Sequence, residues 1–583
     1  AFLPSRSFTK MQEFTEQLSV DWFIREGLRL KGQISIVKGE TSGENYKSPF
    51  SAEFLNTVYN SENRMQEYLP IAKRGYLSMT DGSSLGYNGN ITLNYNTLFG
   101  EKHILYAGIG CEVKQDDRNS HGFTLTGFPD DRYSDPAFAI QFKENSRATS
   151  DESKSRSIGF FANGNYIYDD RYFADVSVRI DGSSKFGVDK CFAPFWSVGA
   201  GWNVHNEKFF KSTKVSMLKL RYSYGVTGNQ EFSAYQAQTM FQFNTDRLYN
   251  SSVTAELMGY GNPDLEWQNQ YQSNFGVDFG YAKDRIRVQF NYYLKKTQGL
   301  LTTITVAPSL GFPSDKYTAN LGEIQNKGLE VNLNAVIIRD MEKELEWSVM
   351  FQAANNKNKI RKISTALKTV NDENNKNTQV PGAVYEEGES MSAIKAVRSL
   401  GIDPTTGKEL FVKKNGELTY TWDAEDKVIC GDTEPKVFGN FGTNLYWKGW
   451  NLNMVFKYNF GADYYNSTLA QRVEGADPAK NADRRVLKDR WKEPGQHALY
   501  KNIKDYKTTY ISSRFVQKDN TVQLSTLSLS YEVNKAWISR FGMNTLRLSF
   551  YMNDVFRAST VKNERGIDYP FQRSFVFGLN VSF

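Results

Sequence analysis

Four histidines, His103, His121, His205 and His497, are the side chains here best suited to metal ligation or proton transfer. A structural metal site takes ligands in closely spaced pairs, and these four are scattered without such spacing. Cys111, Cys191 and Cys430 are odd in number, far apart and without a CxxC, so they suggest neither a disulfide framework nor a zinc knuckle. Paired carboxylates stand at Asp130-Asp131 and Asp169-Asp170. Glycoside hydrolysis needs two carboxyls facing each other across a cleft. Adjacent aspartates instead suit turns, where each bonds its own backbone. The stretch Asp403-Pro-Thr-Thr-Gly407, followed by Asp423 and Asp432, has the composition of a calcium loop without EF-hand spacing, and reads as an ordinary turn. No GxSxG, Walker A or complete dinucleotide fingerprint occurs. These residues point to no catalytic centre, no metal and no cofactor.

The elements that carry them are strands. Over 171–181, Tyr172, Ala174, Val176, Val178 and Ile180 alternate with Phe173, Asp175, Ser177, Arg179 and Asp181. Over 217–225, Leu218, Leu220, Tyr222 and Tyr224 alternate with Lys219, Arg221 and Ser223. The same period recurs at 271–281, 285–295, 329–337, 450–460, 527–533 and 546–550. A strand places alternate side chains on opposite faces, so each segment has one greasy face and one polar face. The last nine residues, FVFGLNVSF, put Phe575, Phe577, Leu579, Val581 and Phe583 on one face. An unpaired greasy strand invites aggregation in water, whereas a membrane barrel turns that face to lipid. A β-sandwich would also alternate, but its strands average about five or six residues. These run to about ten or more, the length of a tilted bilayer crossing.

Composition agrees. The 583 residues contain no Pro-rich, Ser-rich or low-complexity linker. No run of about 18 apolar residues exists, so no transmembrane helix is expected. A mean hydropathy of −0.55 remains compatible with a barrel, whose lumen and loops are polar. Aromatics reach 14% of the chain, as interfacial girdles require. The net charge of +6 is spread out, with no basic block for nucleic acid.

About seventeen strands are expected, with centres near 18, 33, 93, 108, 162, 176, 200, 220, 276, 290, 332, 350, 442, 455, 528, 548 and 579. Short connections (Ile24–Gly27, Tyr168–Arg171, Ala282–Arg285, Trp447–Trp450) alternate with long ones (40–86, 116–153, 227–269, 358–436, 462–520). Outer-membrane barrels have short periplasmic turns and long extracellular loops. On that assignment the first strand descends and the last ends in the periplasm, so their number is odd. Complete single-chain bacterial barrels are even-stranded, and an odd number of strands is expected to precede Ala1, which is not a Met. Trp447 and Trp450, flanking Lys448-Gly449, suit a membrane interface or simple cross-strand packing. Arg179, Lys219, Arg221, Arg285, Arg287 and Lys295 fall on polar faces, where they line a pathway or pair with acids on neighbouring strands or with residues of a plug.

Five stretches carry a family likeness: GFFANGNYIYDDRYFADVSVRIDGSSKFG (159–187), LKLRYSYGVTGNQ (218–230), NPDLEWQNQYQSNFGVDFGYAKDRIRVQFNYYLKKTQGLL (262–301), IQNKGLEVNLN (324–334) and YPFQRSFVFGLNVSF (569–583). In order and spacing they resemble the C-terminal part of SusC/RagA-type TonB-dependent outer-membrane transporters of Bacteroidota. The likeness runs from about Phe8 onward. It implies an all-β transmembrane antiparallel barrel of about 22 strands, a size class that holds a plug. About five strands, the plug domain and the TonB box would lie outside residues 1–583. It also implies no enzyme, but active import of oligosaccharides or peptides, with a SusD-like surface lipoprotein as lid and TonB pulling the plug. A receptor for metal chelates or cobalamin, a soluble secreted carbohydrate-binding or adhesive protein, and a passive porin are the alternatives. In outer-membrane proteins generally, a C-terminal face such as Phe575, Phe577, Leu579, Val581 and Phe583 is the signal to the barrel-assembly machinery.

Overall fold

The computed structural model describes residues 5–583 except 60–63, 145, 213, 230–233, 251, 306–315, 321, 364–370, 372–373, 478–483, 506–507 and 563–571. Among the described residues, seventeen long strands form one antiparallel meander. They are β1 (Arg6–Arg25), β2 (Leu28–Lys47), β3 (Tyr76–Phe99), β4 (His103–Thr126), β5 (Thr149–Tyr168), β6 (Tyr172–Ser183), β7 (Phe192–Asn203), β8 (Val215–Asn229), β9 (Gln268–Tyr281), β10 (Ile286–Gln298), β11 (Glu323–Asp340), β12 (Leu345–Lys362), β13 (Val437–Trp447), β14 (Trp450–Tyr465), β15 (Val516–Glu532), β16 (Thr545–Ser559) and β17 (Phe575–Ser582). Each pairs with its sequence neighbours, and the two-residue strand Gln141–Phe142 adds to the end of β4. Every expected strand centre falls within one of these strands.

All tight turns lie at one end of the sheet. Lys448 (φ 46°) and Gly449 (φ 86°) join β13 to β14, while Asp169 (φ 51°) and Asp170 (φ 53°) join β5 to β6. Two consecutive positive-φ residues make the hairpin turn whose twist matches that of the strands. At Gly449 a side chain has no room, because a Cβ would stand 2.6 Å from the Glu532 carbonyl oxygen. The opposite end carries the long connections. The first two are shorter than the sequence suggests. β2 and β3 pair as far as Lys47 opposite Tyr76, and β4 and β5 as far as Gly122 opposite Thr149. Alternation fades there because both faces have left the bilayer, yet the ladder continues.

Large apolar side chains cover the outer face instead of a core. Ile91, Ile109 and Phe160 are 55%, 58% and 50% exposed, and Val178 and Ile180 continue the surface. Leu93, Ile109, Ala162 and Val178 are opposite one another in turn across β3 to β6. A continuous surface of this kind exceeds what a protein in water exposes and marks the face presented to lipid. Buried apolar clusters sit at the long-loop end: Tyr46, Leu77 and Phe128, and Phe186, Phe195, Val226 and Trp267. Among the described residues β1 pairs only with β2, and β17 only with β16. Both run toward the tight-turn end, since Arg25 enters the first turn and Ser582 is opposite Thr545.

Candidate functional site

The inward face of the sheet is polar and largely self-paired. Arg221 Nε and Nη2 donate to Asp278 Oδ2 and Oδ1 at 2.8 and 2.7 Å, and Nη2 also reaches Asn291 Oδ1 at 3.2 Å. Gly276 lies beneath this fork, where a Cβ would come within 2.9 Å of Arg221 Cζ. Arg179 donates to Glu112 at 3.0 Å and Asp181 at 2.5 Å. Gln272 donates to Asn274 at 2.9 Å. Lys219 Nζ lies 4.0 Å from the Phe173 ring centroid, and Lys295 Nζ lies 4.8 Å from that of Tyr293. Arg287 reaches Asp284 at 2.8 Å beside the turn that contains Arg285. The basic residues singled out from the sequence are thus mostly engaged by neighbouring acids or rings. Arg179, Arg221 and Arg287 are neutralised by acids, whereas Lys219 and Lys295 keep their charge over aromatic rings in an otherwise hydrogen-bonding wall.

Above this wall, the two largest loops fold into one unit. Residues 363–436 contribute a small sheet of Ala393–Ile402, Glu409–Val412, Leu418–Thr419 and Lys427–Asp432. The described residues of 466–515 lie against it. Val397 N donates to Ile511 O at 3.4 Å, Ser399 N to Ser513 Oγ at 3.0 Å, and Trp422 Nε1 to Ile511 O at 2.9 Å. The Trp422 and Tyr510 rings stack at 5.0 Å, and Ala396, Val397, Val473, Ile511 and Phe515 are buried between the loops.

Charge is buried at this junction. Arg514 Nη1 and Nη2 donate to the two Glu474 carboxylate oxygens at 2.6 and 2.8 Å, and Nε and Nη2 reach Glu409 at 3.2 and 2.9 Å. The Glu474 side chain has no solvent exposure. Burial works against the Arg514 charge, but its hydrogen bonds to Glu474 and the charge of Glu409 hold its pKa above the ordinary value. Arg490 donates to the carbonyl oxygens of Val473 (2.5 Å), Glu474 (2.9 Å) and Lys501 (3.2 Å). Burial lowers its pKa. Beside them is a polar cavity of about 500 Å³ bordered by Gln379, Gln471, Glu474, Asp477, Arg490 and Thr509. Bidentate Arg–carboxylate geometry is directional, so this network sets how the two loops meet.

The sequence candidates for metal or acid–base chemistry do not converge. His103 and His121 sit toward opposite ends of β4, about 60 Å apart at the rise of a strand. His103 Nδ1 bonds Tyr166 Oη at 2.6 Å, and His205 Nδ1 bonds Leu218 O at 3.1 Å. The Asp403 carboxylate takes up Tyr420 Oη (2.6 Å), Thr405 N (2.9 Å) and Thr406 Oγ1 (2.8 Å). The Tyr420 hydroxyl first, and the two threonines with it, lower its pKa to about 2. Asp423 caps Glu425 N at 2.9 Å, and Asp432 accepts from Ser392 at 2.6 Å. Among the described residues no group of three or more His, Cys, Asp or Glu side chains is placed to hold a metal.

At the tight-turn end Trp447 and Trp450 are opposite each other, 51% and 46% exposed, with Trp450 against Tyr531 at 4.6 Å. The geometry combines both readings of the pair, outward at the interface and packed across the strands. On β17, Phe575, Phe577, Leu579 and Val581 lie opposite Met552, Phe550, Leu548 and Leu546, and Phe583 follows the strand, 82% exposed. The polar networks at Glu409, Glu474 and Arg514 were not singled out from the sequence. A charged residue in a long loop gives no signal of the burial that creates its role.

Residues 8–554 match the family described as TonB dependent receptor-like, beta-barrel. The chain belongs to that family. It is 25% identical to TonB-dependent receptor P39 of Formosa agariphila, over 84% of this chain and 52% of that protein. It is 23% identical to TonB-dependent receptor SusC of Bacteroides thetaiotaomicron, over 85% of this chain and 51% of that protein. The chain thus spans about half the length of these curated relatives. The RagAB peptide importer in its closed-closed state is similar in structure, with a TM-score of 0.80 at 22% identity, over 99% of this chain and 63% of that one. This likeness identifies the fold as the transmembrane β-barrel of the family. The greasy belt is therefore the lipid face of an outer-membrane barrel, the tight turns are periplasmic and the long loops extracellular.

Proposed function

We propose that the chain is the barrel portion of an active importer that takes oligosaccharides or peptides across the outer membrane. The observation that carries this reading is the family match, running over residues 8–554 of a sheet with a lipid-facing exterior and a hydrogen-bonding interior. Amide and hydroxyl groups such as Gln272, Asn274 and Ser223 suit solutes rich in hydroxyls or peptide groups. The folded unit of the two largest loops offers the mouth a firm edge for a SusD-like surface lipoprotein. The substrate crosses chemically unchanged. TonB supplies the force through a plug domain outside these residues. The open edges of β1 and β17 run in the same direction, so antiparallel closure between them takes an odd number of further strands. The family's size class implies about five. The outward row ending at Phe583 is the signal to the barrel-assembly machinery.

The test is uptake by cells lacking the gene for this protein, or the gene for an adjacent surface lipoprotein. Labelled oligosaccharide and peptide mixtures are supplied with and without an uncoupler. Loss of uptake of one class in both mutants and under the uncoupler is expected. Uptake that persists without a membrane potential identifies a passive pore, and loss of only metal-chelate or cobalamin uptake identifies the receptor alternative.

A further inference from the structure

Just above the lipid belt, the outward faces of β10, β11 and β12 carry a concentration of cations. The register sets Leu294, Lys327 and Lys357 in one outward row, and Lys296, Gln325 and Lys359 in the next. Lys327 is directly opposite Lys357. Like charges facing each other across strands destabilise a sheet, so this pair needs an anion or has a cost without return. The row below contains Tyr292 and Leu329, both exposed to lipid. Two residues of strand, about 7 Å, therefore separate the last greasy row from the first lysine pair.

Local carboxylates neutralise the patch only in part. Glu323 is paired with Lys296 at 3.0 Å and Asp463 with Lys518 at 2.7 Å, while Asp432, which accepts from the Ser392 hydroxyl at 2.6 Å, keeps its charge. Glu434 accepts from the amides of Asn356 and Asn358. Lys327, Lys357, Lys359 and Lys436 are exposed and, among the described residues, in no ion pair. Arg361 Nε donates to Gln325 Oε1 at 2.5 Å, a neutral acceptor. A groove of about 570 Å³ opens between this strand end and residues 432–436, and its cations Lys327, Lys357, Lys359, Arg361 and Lys436 outnumber its carboxylates Asp432, Glu434 and Asp463.

We propose that this surface binds the phosphate groups of a phosphorylated glycolipid in the outer leaflet. Charge and position together select that occupant. Lysines at the headgroup level attract anionic lipid within a Debye length. The acyl chains then lie on the apolar rows of Leu329, Phe351 and Phe441, which continue downward on the same face. The inference rests on the membrane orientation of the barrel and not on what the barrel imports.

The test compares the full transporter with its Lys327→Gln/Lys357→Gln variant. Both are purified in mild detergent and titrated with bis-phosphorylated lipid A, with its dephosphorylated form and with inorganic phosphate. Loss of two lysines should weaken binding of the phosphorylated lipid about thirtyfold, leave the dephosphorylated lipid unaffected, and leave millimolar phosphate unable to compete. The variant removes a repulsion, so its heat-dependent gel shift should be retained. A Lys208→Gln/Lys211→Gln control, exposed at the periplasmic end, should bind like the parent. Equal affinity of parent and variant, an equal loss in the control, or competition by inorganic phosphate each overturns the proposal.

Discussion

Replacing Arg514 by Met tests whether the buried charges hold the outer loops together. The guanidinium is 11% exposed and spans Glu409 and Glu474, whose side chains are 8% and 0% exposed. Removing it leaves Glu474 buried with weaker donors, Thr509 Oγ1 at 3.2 Å and Lys501 N at 3.3 Å. Breaking one side of a buried ion pair costs about 3–5 kcal/mol. That corresponds to roughly two to nearly four orders of magnitude in the opening equilibrium of the loop unit. The sheet does not depend on these contacts, so opening should be local. Hydrogen exchange in the detergent-solubilised transporter reads the effect at the Val397 and Ser399 amides, which donate to Ile511 O and Ser513 Oγ. Their protection should collapse while amides in β8 and β9 keep theirs. Replacing both partners as well, Glu474 by Leu and Glu409 by Gln in an Arg514→Met background, should recover much of the loss, because no buried charge is then left stranded. If Arg514→Met alone left Val397 and Ser399 protected within about 0.5 kcal/mol of the parent, the network would have no part in joining the loops.

Three further outcomes are expected. Gly449→Val should lower the folded fraction in a heat-dependent gel shift, at a cost of about 1–3 kcal/mol for a positive-φ residue, whereas Lys448→Asn should be tolerated; equal folding of the two would refute the turn requirement. Asp403 titrates near 2 in the folded loop, below its ordinary value, so its contribution is complete above pH 4 and is lost as pH falls through about 2. Proteolysis of the 403–420 hairpin should therefore rise only below about pH 3 and at higher pH in Asp403→Asn, while a parent that loosens already at pH 5 contradicts this. Deleting Phe583 should lower outer-membrane yield without changing expression; unchanged yield would leave this side chain as lipid-facing surface.

The strands and their faces were legible because a period of two is local. Tyr172 to Ile180 turn outward and Arg179 and Asp181 inward, as their alternation requires. Turns were legible for the same reason, since Lys448-Gly449 and Asp169-Asp170 are short polar breaks between greasy runs. The limits of the long loops were less so, because strand pairing outlasts the bilayer and the hydrophobic signal stops with the lipid. The loop junction was not legible: Arg514 meets Glu474 across 40 residues and Glu409 across 105.

The sequence by itself determined an all-β chain with one lipid face and one polar face per strand, and which end of the sheet carries the loops. Alternation and turn chemistry act over a few residues, and no distant partner alters them. Only the tertiary structure decided register and loop contact. Sliding β11 against β12 by two residues would preserve every face, yet it would separate Lys327 from Lys357. Burial likewise belongs to the folded assembly, and it turns Glu474 from one carboxylate among many into a charge that must be paired.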